Sequence, residues 1–127
     1  MKIEKFEDIH AWQKAKELTL FIYEFTQKGL FTKDFGLKDQ IRKASVSIMN
    51  NIAEGFERKT NREFHYFLYI AKGSASEVRS MIYLSKDLGY ISEKQFQISF
   101  DLVTHVSGLL SNFIKYVKTN IQINYIL

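Results

Sequence analysis

Three histidines, 14 acidic residues and no cysteine set the range of chemistry open to this chain. Without Cys there is no disulfide staple, no thiolate ligand for zinc or an iron–sulfur cluster and no thiol nucleophile, and an oxidising compartment is not implied. Di-iron helical bundles need a Glu from each of two helices plus two inward-facing Glu-x-x-His motifs. Glu7-Asp8-Ile9-His10 is the one such spacing, and it falls at the very start of the first helical segment. His65 and His105 bring no matching pair, although Asp101 and His105 stand four residues apart. No metal and no cofactor are therefore expected. The glycines, at 29, 36, 55, 73, 89 and 108, are isolated, so no Gly-rich loop can cradle a phosphate. No Gly-x-Ser-x-Gly elbow presents a serine nucleophile. Glu54 and Glu57 stand three apart at a helix end, where solvated charge is the ordinary reading. The pattern predicts no catalytic residue, no enzyme and no small-molecule substrate.

What remains is electrostatic. Lys38, Arg42, Lys43, Arg58, Lys59 and Arg62 face only Asp39, Glu54 and Glu57 in the same window, so six cations less three anions leave +3 of the chain's total +4. Lys38 and Arg42 are spaced i,i+4 and so share one helix face. Such a patch can bind phosphates by releasing their counterions; a solvated basic surface is the other reading of the same residues. Symmetric assembly would repeat the patch around an oligomer.

The elements that must position these residues are helices. The chain has 127 residues, no Pro and few Gly, which suits long uninterrupted helices, since Pro costs about 3 kcal/mol and Gly about 1 kcal/mol in a helix interior. An apolar repeat near 3.6 residues predicts helices over about 8–27, 37–54, 61–88 and 92–119. Asp8, Asn61 and Ser92 are the expected N-caps, with Gln95 completing a capping box. Gly29, Gly55 and Gly89 are the expected stops. Short connections then give an all-α, antiparallel up-down four-helix bundle, one domain over 1–127. The composition, 46% hydrophobic and 25% charged, is globular rather than disordered. No apolar run is long enough to span a bilayer. The mixed-charge start MKIEKFEDIHAW reads as neither signal peptide nor anchor, so a cytoplasmic location without membrane contact is expected.

Each helix carries more apolar surface than one core stripe needs. Val46, Met49 and Ala53 lie off the seam of the second helix, and Tyr66, Tyr69 and Ile70 off that of the third. The fourth has Asp101 as its one formal charge between Gln95 and Ile114. That neutrality predicts contact with another subunit; a neutral Ser/Thr/Asn/Gln solvent face is the alternative. Gly73-Ser74-Ala75, preceded by Ala71, predicts close approach of another backbone in mid-helix. Ile121, Ile123 and Tyr125 alternate with polar residues, so the tail 121–127 is expected to be held in place by a neighbouring subunit, by the body of the chain or by a lattice neighbour.

One stretch carries more information than its periodicity. Gly36-Leu37-Lys38-Asp39-Gln40-Ile41-Arg42-Lys43-Ala44 with Ser47-Ile48 and Asn51-Ile52-Ala53-Glu54-Gly55 resembles the "GL..Q.RRA..SI..NIAEG" signature of four-helix-bundle proteins encoded in intervening sequences of bacterial 23S ribosomal RNA genes. The match runs on through Arg58, Glu63-Phe64, Phe67-Leu68, Ile70-Ala71, Gly73-Ser74, Glu77 and Leu88-Gly89-Tyr90. Phe6, Trp12 and Ala15 fit the family's opening, so the resemblance covers about residues 6–120. Met49 stands where the family often has Pro, which suggests a straighter second helix, and the first interhelical loop also lacks the family's Pro. The resemblance implies antiparallel bundles assembled as homo-oligomeric rings of five, akin to the accessory protein of diversity-generating retroelements, which binds nucleic acid and a reverse transcriptase through a basic surface. The family's own role is not established. Carried over by motif, Arg42, Lys43, Arg58 and Arg62 are the expected phosphate contacts, and Lys38 and Lys59 extend the patch. Asn51 and Glu54 are expected to cap or cross-link helices, and Gly73-Ser74 to allow close packing. Glu54 and Glu77 are candidates to pair with Arg42 or Arg79. Two readings compete: an oligomer binding RNA through its backbone without reading sequence, and a scaffold ring that docks a protein partner.

Overall fold

The computed structural model describes residues 3–119, and the expected tail 121–127 lies outside the described residues. A short 3-10 turn, Phe6–Asp8, leads into α1 (His10–Thr26). A second 3-10 turn, Gly29–Lys33, connects to α2 (Phe35–Glu57), followed by α3 (Asn61–Asp87) and α4 (Glu93–Thr119). No strand occurs among the described residues. Each helix packs on its sequence neighbours and α1 closes against α4, so the four surround one core.

Consecutive helices run in opposite directions. Thr26 of α1 meets Arg42 of α2 while the earlier Thr19 meets the later Ser45. Phe56 of α2 meets the Phe64 ring of α3 edge to face while the earlier Ser47 reaches the later Ser74. Asn61 of α3 reaches Val117 of α4 while Lys86 reaches Glu93. The core follows the apolar repeat: Ile41, Ile48, Ile52 and Phe56 from α2 meet Phe64, Leu68, Val78 and Ile82 from α3, all essentially buried. Each such side chain contributes about 1.5–3 kcal/mol on burial.

The helix ends depart from the sequence reading in instructive ways. Asp8 does not cap α1; its carboxylate accepts from the backbone N–H groups of Glu4 (3.0 Å) and Lys5 (3.2 Å), which fastens the preceding turn instead. Thr60, not Asn61, caps α3, accepting from the Glu63 N–H at 3.2 Å and donating to the Glu63 carboxylate at 2.9 Å. Asn61, one residue on, spends its amide on the carbonyl of Val117. Gly55 does not stop α2, which runs two residues further and starts earlier, at Phe35, under an Asp34 cap. The chain turns instead at Lys59, whose φ of 67° is left-handed although it is not glycine. Gly29 and Gly89, with φ of 62° and 74°, sit past the ends of α1 and α3 as expected. At Gly89 the geometry is the paired one in which Gly89 N–H donates to Lys86 and Tyr90 N–H to Ser85. Ser92 and Gln95 form the expected capping box, at 2.8 and 3.1 Å.

Two packing expectations find no support within the single chain. Gly73 is exposed, and a Cβ there would meet nothing within 4 Å, so no backbone of this chain approaches it. The close approach lies at Gly55, under Phe64 and Phe67 of α3. Ile98 is the one large exposed hydrophobic of α4 among the described residues, whereas α3 exposes Tyr66, Tyr69, Tyr83 and Leu84, with Leu88 just past its end. The exposed positions of α4 include Gln97, Thr104, His105 and Asn112, polar and nearly uncharged.

Candidate functional site

The bundle separates the six cations that lie close in sequence. Arg42 lies in α2 and Arg58 is the residue that caps its C-terminus, 16 residues on, about 24 Å at 1.5 Å per residue. Lys38, Arg42 and Lys43 therefore lie near the end formed by the close of α1 and the start of α2. Arg58, Lys59 and Arg62 lie at the opposite end, where α2 gives way to α3. They do not make one patch.

Their bonds divide them further. Arg42 is half-buried: its Nε donates to Thr26 Oγ1 at 2.8 Å and Nη2 to the Tyr23 carbonyl at 3.4 Å. Its guanidinium carbon lies 4.3 Å from the centroid of the Tyr23 ring. A cation placed on the last carbonyls of α1 also meets the negative end of that helix dipole. Arg42 thus clamps α1 to α2. Arg58 pairs with Glu54 at 3.2 Å and Glu63 at 3.7 Å and lies over the Phe67 ring. Lys59 stands 4.0 Å from Glu57 and over the Phe56 ring. Lys43 approaches Asp39 at 3.9 Å with both side chains largely exposed, a pair worth at most about 1 kcal/mol. Lys38 and Arg62 make no ion pair among the described residues.

The signature residues are mostly structural. Asn51 donates to the carbonyl (2.8 Å) and hydroxyl (3.0 Å) of Ser47, and the Ser47 hydroxyl meets that of buried Ser74 at 2.9 Å, which ties α2 to α3. Glu54 bonds along its own helix to Arg58 and does not cross to Arg42. Glu77 is exposed and makes no ion pair among the described residues, with Arg42 or with Arg79. Arg79 instead lies over the Phe100 ring at 5.6 Å. The Lys72 ammonium bonds to Ser111 across α3 and α4.

Titratable groups do not converge. His10, His65 and His105 sit on α1, α3 and α4, and among the described residues no group of three His, Asp or Glu could hold a metal. His65 stands edge-on to Tyr69 with ring centroids 4.9 Å apart. The Tyr90 hydroxyl donates to Asp34 at 3.0 Å, and that bond, then burial, then the Asp34 charge raise its pKa above the ordinary value near 10. An apolar recess of about 200 Å³ between α1 and α4 is lined by Ile9, Ala11, Leu109, Phe113 and Tyr116 with His10 and Asn112 at its edge, and it holds no acid–base pair. No helix among the described residues is long and apolar enough to cross a membrane.

The feature that sequence reasoning passed over is the outer face of α3. Four of the ten large exposed hydrophobics among the described residues lie on this helix, with Tyr66 62% and Tyr69 56% exposed. The signal was present in the off-seam positions of Tyr66 and Tyr69, but the neutrality of α4 outweighed it.

Comparison with known proteins agrees with this architecture. The sequence model of the family described as 23S rRNA-intervening sequence protein matches residues 7–112. A solved structure of a protein of unknown function from the S23 ribosomal protein family of Bacteroides thetaiotaomicron superposes with a TM-score of 0.74. The two are 25% identical, and the alignment covers 83% of this chain and 95% of that one. No curated protein is significantly similar to the chain.

Proposed function

Because the chain belongs to the 23S rRNA-intervening sequence protein family, we propose that it is a non-enzymatic, homo-oligomeric scaffold of the bacterial cytoplasm, working by assembly of its bundles rather than by chemistry. The observation that carries this reading is the uncovered face of α3. Tyr66, Tyr69, Tyr83 and Leu84 stand exposed along this one helix, with Leu88 just past its end, and exposed tyrosines are enriched where partners meet. A ring of five, as the family resemblance implies, would need a head-to-tail contact on another face of the bundle as well. Light scattering at micromolar concentration tests the reading: a mass well above 15.0 kDa is expected, and a monomer of 15.0 kDa overturns it.

Nucleic-acid binding is the second reading, favoured by Lys38 and Arg62, which have no acidic partner among the described residues, and by the net charge of +4. Repeated by assembly, these cations would hold an RNA backbone without reading its sequence. Their separation at opposite ends of α2, and the neutralised state of Arg58, place this reading second. Affinity for a structured RNA should then fall steeply with salt and be lost in the double variant Lys38→Glu, Arg62→Glu. Salt-independent binding, or binding unchanged by both reversals, would sink it. Arg42 and Arg58 are poorer probes, since reversing either breaks bonds inside the bundle.

A further inference from the structure

We propose that the outer face of α3 pairs antiparallel with the same face of a second copy of this chain, about a two-fold axis level with Ser74 and Ala75. The inference rests on the assembly reading and names its contact. Arg62, Tyr66, Tyr69, Gly73, Ser76, Ser80, Tyr83 and Asp87 follow one another at alternating steps of four and three residues, and all are exposed. That is the 3.5-residue repeat of a helix–helix seam, running along nearly the whole of α3 on the side turned away from its own bundle. A core-facing stripe already exists on the opposite side, through Phe64, Leu68, Ala71, Ala75, Val78 and Ile82. Tyr83 packs one side of its ring on Phe96 and Phe100 of α4 and still stands 44% exposed; the rest of the stripe makes no hydrogen bond, ion pair or ring contact to another helix among the described residues.

The stripe is nearly self-complementary when reversed. Arg62 faces the second copy's Asp87, and neither residue has an ion-pair partner among the described residues of its own chain. Tyr66 faces the second copy's Tyr83, an aromatic pair of the sort that adds to area burial. Tyr69 faces Ser80, large against small. At the centre Gly73 faces Ser76, where the absence of bulk lets two backbones approach closely. Glycine weakens a helix interior relative to alanine, and a Cβ at residue 73 would meet nothing within 4 Å in this chain, so the bundle itself gives no reason for a glycine there. A close helix crossing supplies one. A parallel pairing would set Arg62 against Arg62 and Asp87 against Asp87, like charges face to face, which selects the antiparallel sense. The contact is isologous, so each copy offers and receives the same surface; it makes a dimer, or joins two larger assemblies that use another face.

The absence of native cysteine makes the test clean. Ser76→Cys places two thiols beside the axis, and a short thiol cross-linker should join two copies. Arg62→Cys places its two thiols about 37 Å apart along the antiparallel seam, at 1.5 Å per residue, and should give no cross-link. Cross-linking at both positions, or at neither, overturns the proposal. Light scattering supplies the second arm: Arg62→Asp and Asp87→Arg should each lower the assembly mass, and the two combined should restore it. An oligomer indifferent to all three variants would overturn this contact while leaving the assembly reading intact. A native monomer would overturn both.

Discussion

Gly55 of α2 lies so close to α3 that a Cβ built on it would stand 2.7 Å from the Cβ of Phe67 and 3.0 Å from the ring of Phe64. The Phe67 atom is fixed to its own backbone and cannot swing aside. Gly55→Ala should therefore destabilise the protein by about 1–3 kcal/mol through overpacking, even though alanine is the better helix former by about 1 kcal/mol. Urea denaturation is the measurement, and an unchanged or raised midpoint would refute the close contact.

Gly108 gives the opposite sign. It lies exposed inside α4 with nothing within 4 Å of a built Cβ. Gly108→Ala should raise stability by about 0.5–1 kcal/mol, since only helix propensity changes. Thermal unfolding of this variant beside Gly55→Ala separates local propensity from packing in one family of mutants.

Arg42 is a clamp. Replacing it by Met keeps the stem and removes the bonds to Thr26 and Tyr23, so a loss of about 1–2 kcal/mol is expected. Thr26 keeps its own donation to the Ile22 carbonyl at 2.7 Å and is not left unsatisfied, which limits the cost. A midpoint within error of the native value would show that the clamp is idle in solution.

Tyr90 links stability to alkaline pH. Its folded pKa is raised above the ordinary value near 10 by the hydrogen bond to Asp34. The folded state therefore holds its proton more tightly than the unfolded state. The resulting stabilisation is fully present below about pH 10 and is lost as pH rises through the folded pKa. Tyr90→Phe should be less stable at neutral pH and should show a flatter decline above pH 10. A native-like alkaline decline in the variant would assign the effect to other groups.

The Thr60 cap is the simplest local test. Its hydroxyl accepts the Glu63 N–H at the start of α3, so Thr60→Ala should cost about 1 kcal/mol. Asn61→Ala should cost less, since its amide reaches the Val117 carbonyl only at 3.4 Å. Equal losses would return the cap to Asn61.

The four helices were legible in the residues because apolar spacing near 3.6 is a local property: Ile41, Ile48 and Ile52 need no partner to reveal their shared face. The Ser92–Gln95 box and the left-handed Gly89 were legible for the same reason, since each closes a backbone turn with atoms a few residues away. Gly55 was not, because a glycine in a helix reads as a stop until the neighbouring helix is in place to show that Phe67 excludes a Cβ. Asp8 and Asn61 were each misassigned as caps by one residue, the distance over which a side chain chooses between two nearby amides. For the candidate site, sequence set the composition of the charge but not its distribution. Lys38 through Arg62 looked like one basic cluster, and a straight α2 carries its halves to opposite ends. Whether Arg42 and Arg58 were paired stayed open in the residues; packing gave Thr26 and Tyr23 to Arg42, and Glu54 and Glu63 to Arg58. The sequence by itself determined the helices, the family and the absence of thiol chemistry. The tertiary structure alone decided which face of which helix is left uncovered, because exposure is the remainder after every other helix has taken its place. That remainder is the tyrosine-bearing side of α3.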